Sequence, residues 1–296
     1  MKTINKEEIS YYFKTLQDSI CKQLENIETK ATFEEDLWQR DGGGGGRTRV
    51  IRNGNVFAKG GVNFSSVHGK TPQAILKSLK LPPNDFYATG VSIVIHPLNP
   101  HVPIIHMNVR YFEMSDGTFW FGGGIDLTPI FIDENDSKIF HQSLQKICNI
   151  YKEGAYAKYK KWADDYFFLP NRNETRGIGG IFFDRITGDK KEIFDFVKNI
   201  GELFAPLYLS IIKPHINKSY NSQDIKWQSL RRSRYVEFNL LYDKGTKFGL
   251  DTNGRTESIL MSMPPVAEWE YCYKTTPNSA EEKTQLLLKK EIDWTL

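Results

Sequence analysis

A chain of 296 residues with 40% hydrophobic and 25% charged content has an ordinary globular composition, long enough for one large domain or two small ones. Its net charge of +3 is too small to argue for nucleic acid or a membrane surface as partner. Three widely spaced cysteines, Cys21, Cys148 and Cys272, argue against a disulfide framework, exclude a closely spaced iron–sulfur cradle and fit a reducing compartment.

The polar N-terminus has neither the apolar stretch of a secretory signal nor an Arg/Ser-rich transit pattern. No run approaches the ~18 apolar residues of a membrane span, so the expectation is a soluble, cytoplasmic protein without membrane insertion. In residues 5–30, Ile9, Phe13, Leu16, Ile20 and Leu24 recur at helical spacing and predict a packing helix. Five successive glycines, Gly42 to Gly46, lack the Gly-Lys-Ser/Thr ending of a nucleotide loop. They read either as a loose connector or as a mobile flap whose arginines, Arg47, Arg49 and Arg52, clamp acidic groups on closure. Two short strands, 49–51 and 56–57, flank an Asn53-Gly54 turn. Residues 64–69 end an extended piece, and 74–81 form a short helix stopped by Pro82-Pro83. Residues 88–95 form a buried strand carrying Ser92.

Pro97, Pro100 and Pro103 deliver the chain, extended, to a hairpin of strands 104–113 and 118–128. Alternation puts His106, Asn108, Arg110 and Phe112 on one face and Ile105, Met107, Val109 and Tyr111 on the other. With Ser115-Asp116-Gly117 as a three-residue loop, Arg110 pairs with Gly122, Asn108 with Gly124 and His106 with Asp126. That register makes a polar platform, with open space over the glycines, suited to a flat anionic ligand. A two-residue turn would move Asp126 to the opposite face.

A long helix is predicted for 140–162, with His141 in its first turn. Then come a connection (164–174), a glycine-led strand ending at Asp184, a helix (190–212), two strands (234–242 and 257–263) and a helix-prone tail from Ser279. Helices alternate with hairpins and no βαβ repeat occurs. The fold class is therefore α+β, a single large antiparallel β-sheet flanked by α-helices on its faces, with 1–296 as one domain.

The motifs DGGGGGRTRVI, GVNFSSVHG, HPLNPHVPIIHMNVRYFE, WFGGGIDLTP, RGIGGIFFD, RRSRYVEFNLLYDKGTKFGL and TNGRTESILMSMPP stand in order along nearly the whole chain. In these it resembles the oxygen-dependent coproporphyrinogen III oxidases. The resemblance implies oxidative decarboxylation of two propionates of coproporphyrinogen III to vinyl groups in haem synthesis. O2 is the co-substrate, no organic cofactor is needed, and the protein is a homodimer joined through about residues 235–270. It puts the acid–base residue on His106 and an essential carboxylate on Asp126. Substrate contacts fall on Ser92, Asn108, Val109 and Arg110, and on Asn253, Gly254 and Arg255. Divalent-metal ligands proposed for bacterial members fall on His96, His106 and His141. The family's usual fourth His is Asn171 here, and an amide is a poor transition-metal ligand.

On this reading Asp126 accepts pyrrole N–H groups. Arg110 and Arg255 are the first choices for the propionates, and Arg47, Arg49, Arg52, Arg231, Arg232 and Arg234 the second. Two rivals are a tetrapyrrole carrier without chemistry and a metal-dependent hydrolase built on His96, His101 and His106. Prolines between those histidines leave the hydrolase no helical ligand face.

Overall fold

In the computed structural model, which describes residues 4–71, 76, 84–251 and 254–296, one sheet organises the chain. It is built from β1 (Glu34–Gln39), β2 (Gly44–Arg52), β3 (Phe57–Lys70), β4 (Asp85–Pro97), β5 (Ile104–Met114) and β6 (Phe119–Thr128). After the two-stranded ladder of β7 (Phe168–Leu169) and β8 (Glu174–Thr175), β9 (Gly179–Ile186) closes the sheet beside β6. All seven strands run antiparallel. With helices on both faces, the fold is α+β as expected.

The helix α1 (Lys6–Glu25) starts at a capping box in which Asn5 and Glu8 bond each other's main chain at 2.8 and 3.1 Å. Its predicted apolar stripe, Ile9, Phe13, Leu16, Ile20 and Leu24, is buried, each side chain contributing about 1.5–3 kcal/mol of transfer free energy. The stripe joins Val109, Tyr111, Phe121 and Phe183 of the sheet in one core. Also in that core are residues of α2 (Glu134–Tyr151), α3 (Ala155–Tyr166) and α4 (Lys190–Ile212).

The opposite face is covered only in parts. Trp227, Leu230 and Tyr235 of α5 (Ser222–Leu241) pack on Val94 and Ile104, while Phe238 packs among Ala163, Phe167 and Leu169. Beyond α6 (Lys244–Asp251), α7 (Thr256–Leu260) lies over β2, its Ser258 Oγ 2.9 Å from Thr48 Oγ1. The tail helix α8 (Ala280–Leu287) is capped by Ser279.

Several expectations are corrected. The glycine run is neither connector nor flap. Gly42 and Gly43 turn the chain, and Gly44–Gly46 belong to β2, where the Trp38 ring lies against Gly46 so closely that no side chain fits. The strands around Asn53-Gly54 extend well beyond the alternating residues, because neighbouring strands continue their ladders. The long helix is two helices, broken at Gly154 with φ +74°. It begins at Glu134, so His141 lies beyond the first turn. Residues 234–242 and 257–263 are not strands but parts of α5 and the α7 segment. The predicted helix 74–81 lies, except for Leu76, outside the described residues.

Candidate active site

Hairpin β5–β6 has the three-residue loop: Met114 N–H donates to the Thr118 carbonyl at 2.8 Å and Gly117 takes φ +87°. This fixes His106 opposite Asp126, Asn108 opposite Gly124 and Arg110 opposite Gly122. The same registers carry a polar row across the sheet through Asp36, Thr48, Asn63, Ser92 and Asn108. Four strand spacings separate its ends, about 19 Å.

His106 Nδ1 donates to Asp126 Oδ1 at 2.7 Å. Asp126 itself is 1% exposed. Arg176 Nη2 donates to both its oxygens, at 2.8 Å to Oδ1 and 2.7 Å to Oδ2. Burial pushes the Asp126 carboxyl up, but the charge of Arg176 and then the His106 hydrogen bond outweigh it and hold it below the usual range. Enclosed in this way, Asp126 anchors the imidazole. Sequence reasoning missed Arg176, which reads in RGIGGIFFD as one more arginine. Its only signal is that an ionised acid on a buried strand needs a cation.

Arg110 stretches across Gly122, donating to Asn108 Oδ1 at 2.7 Å and to Asp184 Oδ1 at 2.8 Å. A Cβ on Gly122 would lie 2.9 Å from Arg110 Nε, and one on Gly124 would lie 3.2 Å from the Phe182 ring. The glycines therefore do not floor an empty pocket; they admit Arg110 and Phe182 side chains. Ser92 is half-buried beside Asn108. Val109 points the other way, fully buried in the core, and serves as the spacer that puts Asn108 and Arg110 on one face. Arg255 opens α7, paired with Asp36 at the far end of the polar row and with Ser258 Oγ at 3.3 Å. Gly254 N–H bonds the Gly249 carbonyl at 2.8 Å. Asn253 lies outside the described residues. Both arginines first chosen from the sequence thus border the same face.

The coproporphyrinogen III oxidase family model matches residues 8–294. The chain belongs to the coproporphyrinogen III oxidase family. Oxygen-dependent coproporphyrinogen-III oxidases of Prochlorococcus marinus strains MIT 9301, MIT 9312 and AS9601 are 45%, 46% and 44% identical to it, over 95% of this chain and 90% of each relative.

The three histidines that the resemblance offers as metal ligands do not come together here. His141 uses both ring nitrogens, Nδ1 with Tyr156 Oη at 2.9 Å and Nε2 with the Ile178 carbonyl at 3.0 Å, in the layer behind the sheet. His96 Nε2 bonds the Ser262 carbonyl at 2.8 Å, and His106 is held by Asp126. Among the described residues the ligand atoms of these three do not converge. Burial, aided for His96 by the Arg232 charge, pushes the first two rings down to about 3. Asn171 bonds Glu237 at 3.1 Å and the Tyr242 hydroxyl at 3.0 Å. His101 stacks on Phe131, so the hydrolase's histidines do not converge either.

The second-choice arginines also have partners within the chain. Arg47 and Arg49 pair with Asp18 and Glu35, and Arg52 with Glu34. Arg231 bonds Glu174, Arg232 the Pro97 carbonyl and Arg234 Glu237.

Proposed function

We propose that the chain catalyses the oxygen-dependent conversion of two propionates of coproporphyrinogen III to vinyl groups, giving protoporphyrinogen IX. One observation carries this reading. A single sheet face holds a half-buried imidazole anchored on a buried acid, beside the half-buried Ser92, Asn108 and Arg110, with Arg255 at its far border. Membership of the oxidase family supports it.

Each step turns one propionic acid and O2 into a vinyl group, CO2 and hydrogen peroxide, which balances in atoms and electrons. The reduced pyrrole is electron-rich and serves as the reductant, so the proposal needs neither flavin nor haem. The protein positions the substrate and supplies electrostatics. Arg110 takes a propionate in a two-pronged contact, exchanging Asp184 for it, and Arg255 takes another at the border. Asn108 Nδ2 and Ser92 Oγ donate to the substrate, and His106 relays a proton at Nε2.

The working protein is a cytoplasmic homodimer joined through about residues 235–270. In support, the large apolar side chains Leu240, Leu241, Leu250, Val266 and Trp269 are 39–55% exposed there. No helix of the described residues is long and apolar enough to cross a membrane.

The test is incubation of purified protein with coproporphyrinogen III in air, with and without chelator. Vinyl product in both is expected. Binding without product would leave a carrier, and product lost to chelator would return a metal to the mechanism. Sedimentation of the same sample at the mass of one chain would remove the dimer.

A further inference from the structure

A cation with one counter-ion sits beneath the imidazole. The Arg176 guanidinium is 2% exposed and lies 4.4 Å from the ring centre of Phe167 and 4.6 Å from those of Tyr235 and Phe238. Its Nη2 bridges the two oxygens of Asp126, and its Nε has no partner among the described residues. Three rings from two segments, Phe167 after α3 and Tyr235 and Phe238 on α5, therefore enclose the guanidinium. The rings attract the cation through their faces, and removing its acid would leave a buried charge unpaired. A buried carboxylate left to itself can rotate about its last bond. One held across both oxygens cannot, and the direction of Oδ1 toward His106 is then set by the aromatic box.

We propose that Arg176 is a positioning residue: by locking Asp126 it fixes the His106 ring with the hydrogen on Nδ1 and leaves Nε2 bare toward the open face. The proposal rests on the oxidase reading only for what Nε2 then does. A neutral imidazole holds one hydrogen, and the nitrogen that carries it is decided by the partner of the other. Asp126 accepts only, so it takes the Nδ1 hydrogen. His106 consequently meets its substrate as a hydrogen-bond and proton acceptor. Arg176 touches neither Arg110 nor Asn108 nor Ser92, so its contribution falls on turnover rather than on substrate binding.

The decisive measurement is the ring-nitrogen NMR spectrum of the native protein at a pH where His106 is neutral. A pyridine-like Nε2 and a pyrrole-like Nδ1 are expected; an Nε2–H ring would overturn the proposal whatever the variants do. In Arg176→Met, which keeps an apolar chain among the rings, kcat should fall about 100-fold with KM within about twofold, and the two tautomers should mix. Arg176→Lys, which restores the charge, should recover at least about tenfold of that loss. A folded Arg176→Met protein with native kcat and a single Nδ1–H tautomer would overturn the proposal. If Arg176→Met does not fold, the native spectrum and the Arg176→Lys kinetics decide. A protein with the expected tautomer but no product from coproporphyrinogen III would sink the oxidase reading and leave this one standing.

Discussion

At Gly122 the sheet has room for a side chain from the neighbouring strand and none of its own. Arg110 lies across it on the way to Asp184, and an added methyl would meet both, at 2.9 and 2.5 Å. Those are the ends of flexible side chains, so Gly122→Ala should fold and push Arg110 aside. The expected result in steady-state kinetics is a KM for coproporphyrinogen III raised about tenfold with kcat within about threefold, the pattern of lost ground-state binding. An unchanged KM would mean that Arg110 does not hold the substrate. Asp126 behaves differently. Asp126→Ala would remove the partner that holds the His106 ring. With Arg176 buried against it, removal of the acid strands a charge and costs about 3–5 kcal/mol, so that variant confounds chemistry with stability.

Among the elements, α5 is the one that sequence patterning misread. Tyr235, Glu237 and Asn239 alternate with Val236, Phe238 and Leu240 like a strand. Over the longer window, the buried Trp227, Leu230, Tyr235 and Phe238 follow the helical period, and Asn221 with Asp224 forms a capping box ahead of them. A short window favoured the wrong period. The helix also carries a hub. Glu237 accepts from Arg172 at 2.6 and 2.8 Å, from Asn171 at 3.1 Å, from Arg234 at 3.2 Å and from Trp269 Nε1 at 2.9 Å. Burial pushes its carboxyl up, but these partners, Arg172 foremost, bring it down to about 2. Glu237→Gln keeps the shape and removes the charge, and should cost about 2 kcal/mol in urea unfolding. Because Trp269 lies in the proposed dimer segment, the same variant should loosen that segment in hydrogen exchange. Native protection there would detach the hub from the segment.

For the molecule as a whole, two buried histidines shape stability just below neutral pH, above the range where the paired carboxylates Asp126 and Glu237 take up protons. His96 and His141 are pushed down to about 3 in the fold, against an ordinary value of 6.5. Above that value both states are neutral and nothing is lost. As pH falls from 6.5 toward 3, the unfolded chain takes up protons that the native one refuses. Stability then drops by about 1.4 kcal/mol per pH unit for each ring once the pH is well below 6.5. In chelator, the urea midpoint should therefore fall between pH 7 and pH 5, and His141→Gln should flatten that slope by about half. Equal midpoints at pH 5 and pH 7 would refute this account.

The sequence by itself determined the hairpin and narrowed its register to two, of which the one pairing His106 with Asp126 is found, because a period of two and one turn glycine leave few alternatives over ten residues. It also determined the α1 and α4 helices, whose apolar stripes repeat over many turns, and the family, through long motifs in order. Only the tertiary structure decided what each charge is for. Arg176 reaches Asp126 from fifty residues away, Arg47 and Arg49 are taken by Asp18, and the three histidines part company between layers. Pairing of charges depends on distance in space, and local periodicity carries no record of that.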